Sequence, residues 1–462
     1  MKLEIGAELI IKDPTPEVER WCDLNLVVSN PEYSKKKRMG FWLGNTPEYL
    51  HMFARQGNVL RIPYGCLKDV LPMFDKNCVT TSFKTSHYVE FKGNIPLYDY
   101  QEEAVLNMVV AQYGILQSPA GSGKTQMGLA IASTINRKTL WLTHTKDLLN
   151  QSKERAEKYF SCDMGTITEG KIDIGEVLTF ATIQTMCNID LDLYRDTWDT
   201  VIVDECHRVA GTPTSVSMFS MVLNRLRARH KYGLSATVHR ADGLIRCTYS
   251  LLGDVAYTVP AEAVEDKVMQ VSIQPVDTGI GISEDFLNED GTISYARMLT
   301  WLGECEDRNE VILDDLMENG QHSNLVLSDR VGHLRKLYDE LPAFLQQRAA
   351  VIDGKMVSKK AKAMREDAIE RMRTGELNYL FATYALAKEG LDIPRLDRLY
   401  LTTPQKDYAI VTQAIGRVAR TFPGKEDPIV YDYIDNISSL EKSYKKRRTT
   451  YKKLNCNIKE RT

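Results

Sequence analysis

The chain lacks the features that mark a secreted or membrane-inserted protein. Its first residues, MKLEIGAELIIKDP, contain no apolar core of a secretory signal, and no uninterrupted apolar run approaches about 18 residues. Its 9 cysteines occur singly, without a C-x-x-C pair, so the sequence indicates neither a disulfide framework nor a zinc site. We therefore expect a cytoplasmic protein whose cysteines stay reduced.

The chain also lacks an excess of charge of either sign. Lysine and arginine total 59 against 62 acidic residues, which gives a formal net charge of −3. Nucleic-acid binding must then depend on local basic patches, and two are present. Their basic residues include Lys35, Lys36, Lys37 and Arg38 in KKKR, and Lys445, Lys446, Arg447 and Arg448 in the segment that starts at Ser443. Each patch is compatible with a solvated surface or an unordered terminus, and tyrosines among the cations of the second favour nucleic-acid contact.

Length and patterning predict several domains of the α/β class. The 462 residues, 43% hydrophobic and 26% charged, are typical of two or three globular domains. Residues 1–92 contain short alternating runs between turn signals, which predicts a small β-rich domain that can bind DNA. Short apolar strands alternate with helices over 93–275 and again over 276–441, which predicts two parallel sheets. Residues 442–462 are expected to form a basic tail.

A glycine-rich turn, SPAGSGKT at 118–125, lies between a strand-like run and a helix-like run. It matches G-x-x-x-x-G-K-[ST], with Ser118 in the first glycine position. Small residues let backbone amides face an anion, and the following helix adds the positive end of its dipole. We expect Lys124 to reach the β/γ-phosphates of a nucleotide and Thr125 to bind Mg²⁺, although an ordinary strand-to-helix turn can look similar. The remaining predicted phosphate-binding residues are Ala120, Gly121, Ser122 and Gly123.

An acidic pair follows a second apolar strand in VIVDECH. Asp204 would hold Mg²⁺ and Glu205 would polarise the water that attacks the γ-phosphate. Asp204 could instead cap a helix. The position of the pair about 80 residues after the glycine-rich turn favours the catalytic interpretation.

These two stretches and seven others resemble the motifs of superfamily 2 helicases and occur in that family's order. LYDYQ resembles the Q motif, which implies that Tyr98 stacks on adenine and that Gln101 reads it. WLTHTKDLLNQ and ATIQT resemble motifs that contact the nucleic-acid backbone. GLSAT, with Ser235 and Thr237, resembles the motif that couples the ATP site to the strand. The implied backbone contacts are Thr143, Thr145, Thr182 and Gln184.

The second half of the chain continues the resemblance through NLVLSDR, FATYALAKEGLDIP and QAIGRVAR. Two arginines three residues apart on one helix face can stabilise charge on a γ-phosphate, although such a pair alone can be a surface ion-pair cluster. The resemblance implies nucleic-acid contacts by Ser328, Arg330 and Thr383, nucleotide contacts by Gly390 and Asp392, and catalytic contributions from Gln413, Arg417 and Arg420.

The resemblance as a whole implies two RecA-like domains, ATP and Mg²⁺ as cofactors, and ATP hydrolysis coupled to 3′-to-5′ translocation. GLSATVHRADG is similar to the branch that acts on duplex or branched DNA. The N-terminal stretch resembles the leader of phage branch-migration helicases. We therefore expect forks, junctions and single-stranded DNA as partners, no membrane, a monomer, and a role in phage replication and recombination. An RNA helicase and a remodelling subunit with an inactive motor are the alternatives.

Overall fold

The computed structural model describes residues 1–84, 88–119, 121–237, 243–260, 262–267, 269–353, 359–388 and 391–461. Ala120 and Gly390, two of the predicted nucleotide-binding residues, lie outside these ranges. The chain divides into two compact units, one of residues 1–119 with 123–260 and one of residues 261–462 with 120–122. No helix within the described ranges has the length and apolar character needed to cross a bilayer.

An N-terminal region of short strands and helices comes first. Its elements are β1 (Lys2–Ile5), β2 (Glu8–Lys12), α1 (Pro16–Asn25), β3 (Val27–Ser29), α2 (Pro31–Arg38), β4 (Tyr49–His51), β5 (Ala54–Gln56), β6 (Val59–Pro63), α3 (Leu67–Val70) and β7 (Val79–Thr81). Five strands form a sheet in the order β5-β6-β2-β1-β7, and β3 pairs with β4 in a separate ribbon. Buried positions alternate along β2, which is the period of a half-buried strand.

The N-terminal sheet packs on the first α/β sheet instead of forming its own core. Leu9 and Leu252 belong to one hydrophobic cluster that spans both regions. The Nζ of Lys231 donates hydrogen bonds to the carbonyl oxygens of Ala7 at 2.8 Å and of Leu223 at 2.7 Å. The predicted N-terminal sheet is therefore present, and its core is continuous with that of the sheet that follows.

The first α/β sheet has eight strands in the order β11-β10-β12-β9-β13-β14-β8-β15, and every neighbouring pair except β10 with β11 is parallel. Its elements are α4 (Asp99–Ala111), β8 (Tyr113–Gln117), α5 (Lys124–Ile135), β9 (Thr139–Thr143), α6 (Lys146–Tyr159), β10 (Met164–Thr168), β11 (Lys171–Ile172), β12 (Leu178–Thr182), α7 (Ile183–Cys187), β13 (Thr200–Asp204), α8 (Pro213–Leu223), β14 (His230–Ser235), α9 (Ile245–Leu252) and β15 (Val255–Thr258). Strands β9 and β13 are buried at every position, as expected for a parallel sheet covered on both faces.

The second α/β sheet has seven parallel strands in the order β18-β19-β17-β20-β21-β16-β22. Its elements are β16 (Ser272–Asp277), α10 (Tyr295–Glu304), α11 (Glu306–Glu318), β17 (Asn324–Ser328), α12 (Val331–Glu340), α13 (Ala343–Gln346), β18 (Ala349–Ile352), α14 (Lys359–Thr374), β19 (Tyr379–Thr383), α15 (Tyr384–Lys388), β20 (Arg398–Leu401), α16 (Tyr408–Val418), β21 (Ile429–Ile434), α17 (Ser438–Lys453) and β22 (Asn457–Ile458). Because β16 pairs with β21, the second sheet starts a few residues before the boundary predicted at residue 276.

The C-terminal segment is a folded part of the second unit, which differs from the predicted tail. Helix α17 presents Arg447 to the interior, where its side chain is 2% exposed. The guanidinium donates hydrogen bonds to the two carboxylate oxygens of Asp432 at 2.7 and 2.9 Å, and the Tyr451 hydroxyl donates to the same carboxylate at 2.7 Å. The predicted DNA contact by Arg447 is therefore wrong, because this cation neutralises a buried acid.

Candidate nucleotide and nucleic-acid sites

The predicted nucleotide-binding residues follow three adjacent strands of the first sheet. Strands β13, β14 and β8 are neighbours and run parallel, so their carboxyl ends lie at one edge. The glycine-rich turn follows β8, Asp204 ends β13, and Ser235 ends β14. The N–H of Ser118 donates to the carbonyl oxygen of Ser235 at 3.0 Å, which fastens the start of the glycine-rich turn to β14. This edge is where open parallel sheets bind ligands.

The glycine-rich turn has a backbone that requires glycine. Gly121 and Gly123 have φ angles of 85° and 82°, in the left-handed region that residues with a Cβ rarely adopt. A Cβ built on Gly123 would also lie 2.6 Å from Nε2 of Gln101. Helix α5 begins at the next residue, Lys124, so its free N–H groups and dipole favour an anion at the turn. The described part of the turn therefore fits a bound phosphate.

The acid at the end of β13 is buried and accepts two hydrogen bonds from described residues. Asp204 is 6% exposed; it accepts hydrogen bonds from the Glu205 N–H at 2.9 Å and the Ser152 hydroxyl at 3.4 Å. Burial and the neighbouring Glu205 raise the pKa of Asp204 to about 7, against the opposing effect of Lys124. A divalent cation at this carboxylate would offset the cost of its buried charge. Asp204, with the half-buried Thr125 on α5, therefore fits the predicted Mg²⁺ site.

Sequence reasoning assigned no role to His207, which the structure places beside the predicted catalytic glutamate. The carboxylate of Glu205 lies 3.2 Å from Nδ1 of His207, and the same nitrogen lies 3.1 Å from the Ser235 hydroxyl. That hydroxyl donates to the carbonyl oxygen of Thr237 at 2.7 Å. Glu205 itself has a φ of 49°, a strained conformation for a residue with a Cβ. The only sequence signal for this chain of contacts was the histidine two residues after Glu205.

The predicted adenine-binding residues differ in accessibility. Tyr98 is 51% exposed and its ring stacks on that of Tyr100 at a centroid distance of 5.9 Å. Gln101 is buried, and its side-chain oxygen accepts from the Tyr98 N–H at 3.0 Å. Tyr98 can therefore stack on a base directly, whereas the buried Gln101 holds the start of α4 and its amide lies close to Gly123 of the glycine-rich turn.

The predicted nucleic-acid contacts of the first unit lie at the same edge, at or just after the carboxyl ends of β9 and β12. Thr143 and Thr182 are paired across β9 and β12. The Thr143 hydroxyl is fully buried and donates to the carbonyl oxygen of Thr145 at 3.0 Å. Thr145 and Thr182 cap α6 and α7, and Gln184 is exposed on α7. The predicted direct contact by Thr143 is therefore wrong, because this side chain shapes the turn.

A similar pair occurs at the carboxyl edge of the second sheet, where Ser328 and Thr383 are neighbours across β17 and β19. The Ser328 hydroxyl is fully buried, lies 3.2 Å from Nδ1 of His333 and accepts from the Arg330 N–H at 3.1 Å. The predicted contact by Ser328 is also wrong for this reason. Arg330 donates to the carbonyl oxygen of Ala296 at 3.3 Å and is half-buried, as is Thr383.

The predicted catalytic arginines of the second unit are held by the segment that contains Asp392. The Arg420 guanidinium forms an ion pair with the Asp392 carboxylate. Arg417 donates to the carbonyl oxygen of Ala387 at 3.3 Å, and Gln413 lies half-buried on the same helix, α16. In this structure Asp392 therefore acts as the acid that holds Arg420, whereas a direct nucleotide contact by Asp392 stays a prediction.

In each of the two basic patches, one cation forms an ion pair within the protein and the others are exposed. Lys36 forms an ion pair with Glu32 at 2.9 Å and donates to the Thr46 hydroxyl at 2.8 Å, so its side chain connects α2 with the loop that follows. The other patch residues, Arg447 apart, are exposed. They are Lys35, Lys37 and Arg38 on α2, and Lys445, Lys446 and Arg448 on α17.

Two family descriptions match the regions that carry these residues. "Type III restriction enzyme, res subunit" matches residues 94–240, and "Helicase conserved C-terminal domain" matches residues 307–422. Together they cover more than half of the chain, including β8–β14 of the first parallel sheet and β17–β20 of the second.

Relatives from viruses, a phage and an archaeon are similar over most of the chain. A protein of Acanthamoeba polyphaga mimivirus named "Putative ATP-dependent RNA helicase L396" is 23% identical over 88% of this chain and 77% of its own length. A protein of Escherichia phage T5 named as a probable helicase is 26% identical over 69% of this chain and 67% of its own length. The "DNA 3'-5' translocase XPB2" of Sulfurisphaera tokodaii is 24% identical over 66% of this chain and 74% of its own length.

Solved structures share the fold at low identity. Dbp5 of S. cerevisiae, bound to RNA and ADP BeF3, has a TM-score of 0.55 at 16% identity, covering 87% of this chain and 94% of that one. The restriction-modification enzyme LlaBIII bound to DNA has a TM-score of 0.53 at 18% identity, covering 79% of this chain and 30% of that one. The predicted α/β class, with two RecA-like domains in tandem after an N-terminal sheet, is confirmed.

Fold and candidate site together define a protein of two RecA-like domains, with the predicted phosphate-binding residues at one edge of the first sheet and the predicted catalytic arginines in the second unit. The family matches and the relatives make the class specific: the chain belongs to the superfamily 2 helicases. The family implies an ATP-dependent activity on nucleic acid.

Proposed function

We propose that the chain is an ATP-driven helicase or translocase that acts on forked or branched DNA. The observation that carries the ATPase part is the edge of the first sheet, where a turn of left-handed glycines, a buried aspartate and a glutamate–histidine contact follow neighbouring strands. The name of the archaeal "DNA 3'-5' translocase XPB2" supports DNA as the polymer.

The glycine-rich turn and the carboxyl edge of the first sheet would bind the nucleotide. The N–H groups of Gly121 and Gly123 and the start of α5 would hold the β/γ-phosphates, and Lys124 would contact them as a cation. Mg²⁺, held by Thr125 and Asp204, would neutralise charge that develops on the phosphate oxygens. Tyr98 would stack on the adenine.

Glu205 would act as the general base, with His207 as a positioning residue. Nδ1 of His207 lies 3.2 Å from the Glu205 carboxylate and would help to orient it. Since His207 also contacts the Ser235 hydroxyl at 3.1 Å, a shift in the segment after β14 would change the orientation of the base. This is a direct route by which nucleic-acid binding near Thr237 could regulate hydrolysis.

Arg417 and Arg420 would stabilise negative charge on the transferred phosphate, as the family resemblance implies. The Asp392 carboxylate holds Arg420 in the present structure. A phosphate oxygen would therefore compete with Asp392 for this guanidinium, and the ion pair would keep the arginine from binding other anions between turnovers.

Nucleic acid would contact Thr145, Thr182 and Gln184 at the carboxyl edge of the first sheet, and Arg330 and Thr383 at the carboxyl edge of the second. Most of these groups suit phosphate oxygens, so binding would be largely independent of sequence and sensitive to salt. We propose 3′-to-5′ translocation by a cytoplasmic monomer, with roles in phage replication and recombination, branch migration included.

An ATP-dependent RNA helicase is the second candidate, because the mimivirus relative carries that name and Dbp5 is similar in fold. ATP turnover of the full chain, measured with forked DNA, a four-way junction, blunt duplex, single-stranded DNA and matched RNAs, separates the two. Stronger stimulation by branched DNA supports the proposal, and stronger stimulation by RNA overturns its DNA part.

Two variants test whether turnover belongs to this site. Lys124→Ala should abolish hydrolysis, and Glu205→Gln should bind ATP but hydrolyse it slowly, both with the melting temperature of the unsubstituted chain. A Glu205→Gln variant that turns over at the unsubstituted rate would contradict the assigned base. Absence of turnover under every condition would favour a remodelling subunit with an inactive motor.

A further inference from the structure

The loop that follows the basic helix α2 exposes large apolar side chains. In this loop, defined as the aromatic loop and comprising residues 39–46, Trp42 is 89% exposed, Phe41 59% and Met39 52%. The exposed α2 cations Lys35, Lys37 and Arg38 immediately precede it. The position of the cations at the end of α2 has a structural explanation, since they complement the helix dipole. That explanation does not extend to an indole directed at solvent.

The aromatic loop is a defined structure. The Phe41 N–H donates to the Lys36 carbonyl oxygen at 2.9 Å, and the Lys36 ammonium donates to the Thr46 hydroxyl at 2.8 Å. Gly44 has a φ of 51°, and a Cβ built on it would lie 2.9 Å from the ring of Trp42. One part of the indole therefore lies against the backbone at Gly44, and the rest is available for stacking.

The loop is also anchored to the first unit. It lies between β3 and β4, which pair with each other. Val28 on β3 and Met52, directly after β4, are buried in the cluster shared with the first α/β sheet. The side-chain amide of Asn30 donates to the Pro47 carbonyl oxygen at 2.8 Å and its oxygen accepts from the Glu32 N–H at 2.9 Å. The indole is thus attached to the core of the unit that contains Gly123 and α5.

We propose that the aromatic loop is a second nucleic-acid site, in which Trp42 stacks on an unpaired base of a single strand while Lys35, Lys37 and Arg38 contact the flanking phosphates. The positive charge of the adjacent cations is complementary to the phosphates of a nucleic acid, and the exposed ring can stack on a base. Both features favour a single strand of nucleic acid as the ligand of this surface. Stacking is independent of sequence because every base has a π-face. A ring of this kind favours single strands and forks, whose bases are accessible, over blunt duplex.

This inference rests on the proposed function only in taking nucleic acid as the polymer. It assigns to the N-terminal region a means of distinguishing an open strand from a closed duplex. As a part of the first unit, the ring would keep a fixed position relative to Gly123 during turnover.

Tryptophan fluorescence tests the stacking directly. Of the 5 tryptophans, Trp141 and Trp198 are buried and Trp21 and Trp301 are partly buried, so Trp42 is the most accessible. Titration of the full chain without ATP, with oligo(dT), oligo(rU) and blunt duplex as probes, should quench emission only with the single strands. Trp42→Phe should remove most of the quenching. Trp42→Ala should weaken single-strand and fork binding on the order of tenfold and leave blunt-duplex binding within about twofold.

The matched control is Leu24→Ala, which removes another exposed apolar side chain, 68% exposed, from the same region. It should change neither quenching nor affinity. Unchanged single-strand affinity of Trp42→Ala, equal losses for single strand and blunt duplex, or no quenching by either oligonucleotide would overturn the inference. A wild-type chain without DNA-stimulated ATP turnover would contradict the proposed function alone, since the quenching assay requires no turnover.

Discussion

Two buried cations join the terminal segments to the two parallel sheets, and they have different partners. Lys231, where the N-terminal region meets the first sheet, donates to the neutral carbonyl oxygens of Ala7 and Leu223. Arg447, where α17 meets the second sheet, donates to the carboxylate of Asp432.

The pKa shifts of the two cations have opposite signs. Burial lowers the pKa of Lys231 to about 7, with only partial opposition from Glu8. Burial also acts against Arg447, but the Asp432 charge outweighs it and raises the pKa of the guanidinium. The comparison shows that the partner, and not burial alone, decides whether an interior cation stays charged.

Removal of either terminal segment should have the largest effect. Deleting residues 1–90 exposes the core that Leu9 shares with Leu252 and removes the Ala7 carbonyl from Lys231. We expect loss of the cooperative thermal transition of the first unit, measured by circular dichroism. The triple substitution of Lys35, Lys37 and Arg38 by alanine, on the surface of the same region, should keep that transition. A folded deletion chain would show that the shared core is dispensable.

Arg447→Ala should give the next largest effect because it leaves the Asp432 carboxylate buried without its cation. We expect a loss of about 3–5 kcal/mol in the free energy of unfolding of the second unit. Arg448→Ala, one residue further on α17 and exposed, should change it by less than about 0.5 kcal/mol. Denaturant titration of both variants provides the measurement. Similar small losses in both would mean that water reaches Asp432.

The contrast between Arg447 and Arg448 also shows what the sequence could predict. Strand-to-helix alternation predicted both parallel sheets, because buried strands are apolar at every position. The order of motifs predicted the nucleotide-binding edge. From the sequence, however, the buried Arg447 could not be distinguished from the exposed cations of the same segment. Its partner Asp432 lies 15 positions earlier, on β21, and no local pattern around Arg447 indicates the pairing. Thr143 and Ser328 are a different case, since their partners Thr145, Arg330 and His333 lie only two to five residues away, and only the three-dimensional structure showed that the two hydroxyls are buried.

His207 is a different case, because its signal was present in the sequence. The histidine stands two residues after Glu205, but the contact with Ser235 depends on the pairing of β13 with β14. Parallel neighbours bring residues together that lie 28 positions apart in this instance. Local motifs predicted the residues of each strand end, whereas the contacts between strand ends required the sheet order.

The pH dependence of the free energy of unfolding should distinguish Lys231 from Arg447. Between pH 7 and about 10.5 the unfolded chain holds a proton on Lys231 that the folded chain has released, so the free energy of unfolding should rise with pH in this window. The expected rise between pH 7 and 9 is on the order of 2 kcal/mol. Lys231→Met should remove this component, whereas Lys2→Met, at an exposed position of β1, should retain it. Identical pH profiles for all three chains would show that the two carbonyl acceptors keep Lys231 charged.

The smallest effect on stability, and a clear effect on binding, should come from the exposed cations of α17. Alanine at Lys445, Lys446 and Arg448 together should leave the melting temperature nearly unchanged, because none of these side chains neutralises a buried acid. If each contacts a phosphate of duplex DNA, the slope of log K against log salt should become shallower by about 0.9 per contact, or up to about 2.7 in total.

The control for this measurement is a substitution of the buried cation on the same helix, Arg447. Arg447→Lys keeps the charge inside the second unit, so any change in affinity should leave the salt slope intact. DNA binding by the triple variant with an unchanged salt slope would exclude phosphate contacts by α17. Its basic surface would then contribute only to solubility, and the aromatic loop and the sheet edges would remain as the DNA-binding surfaces.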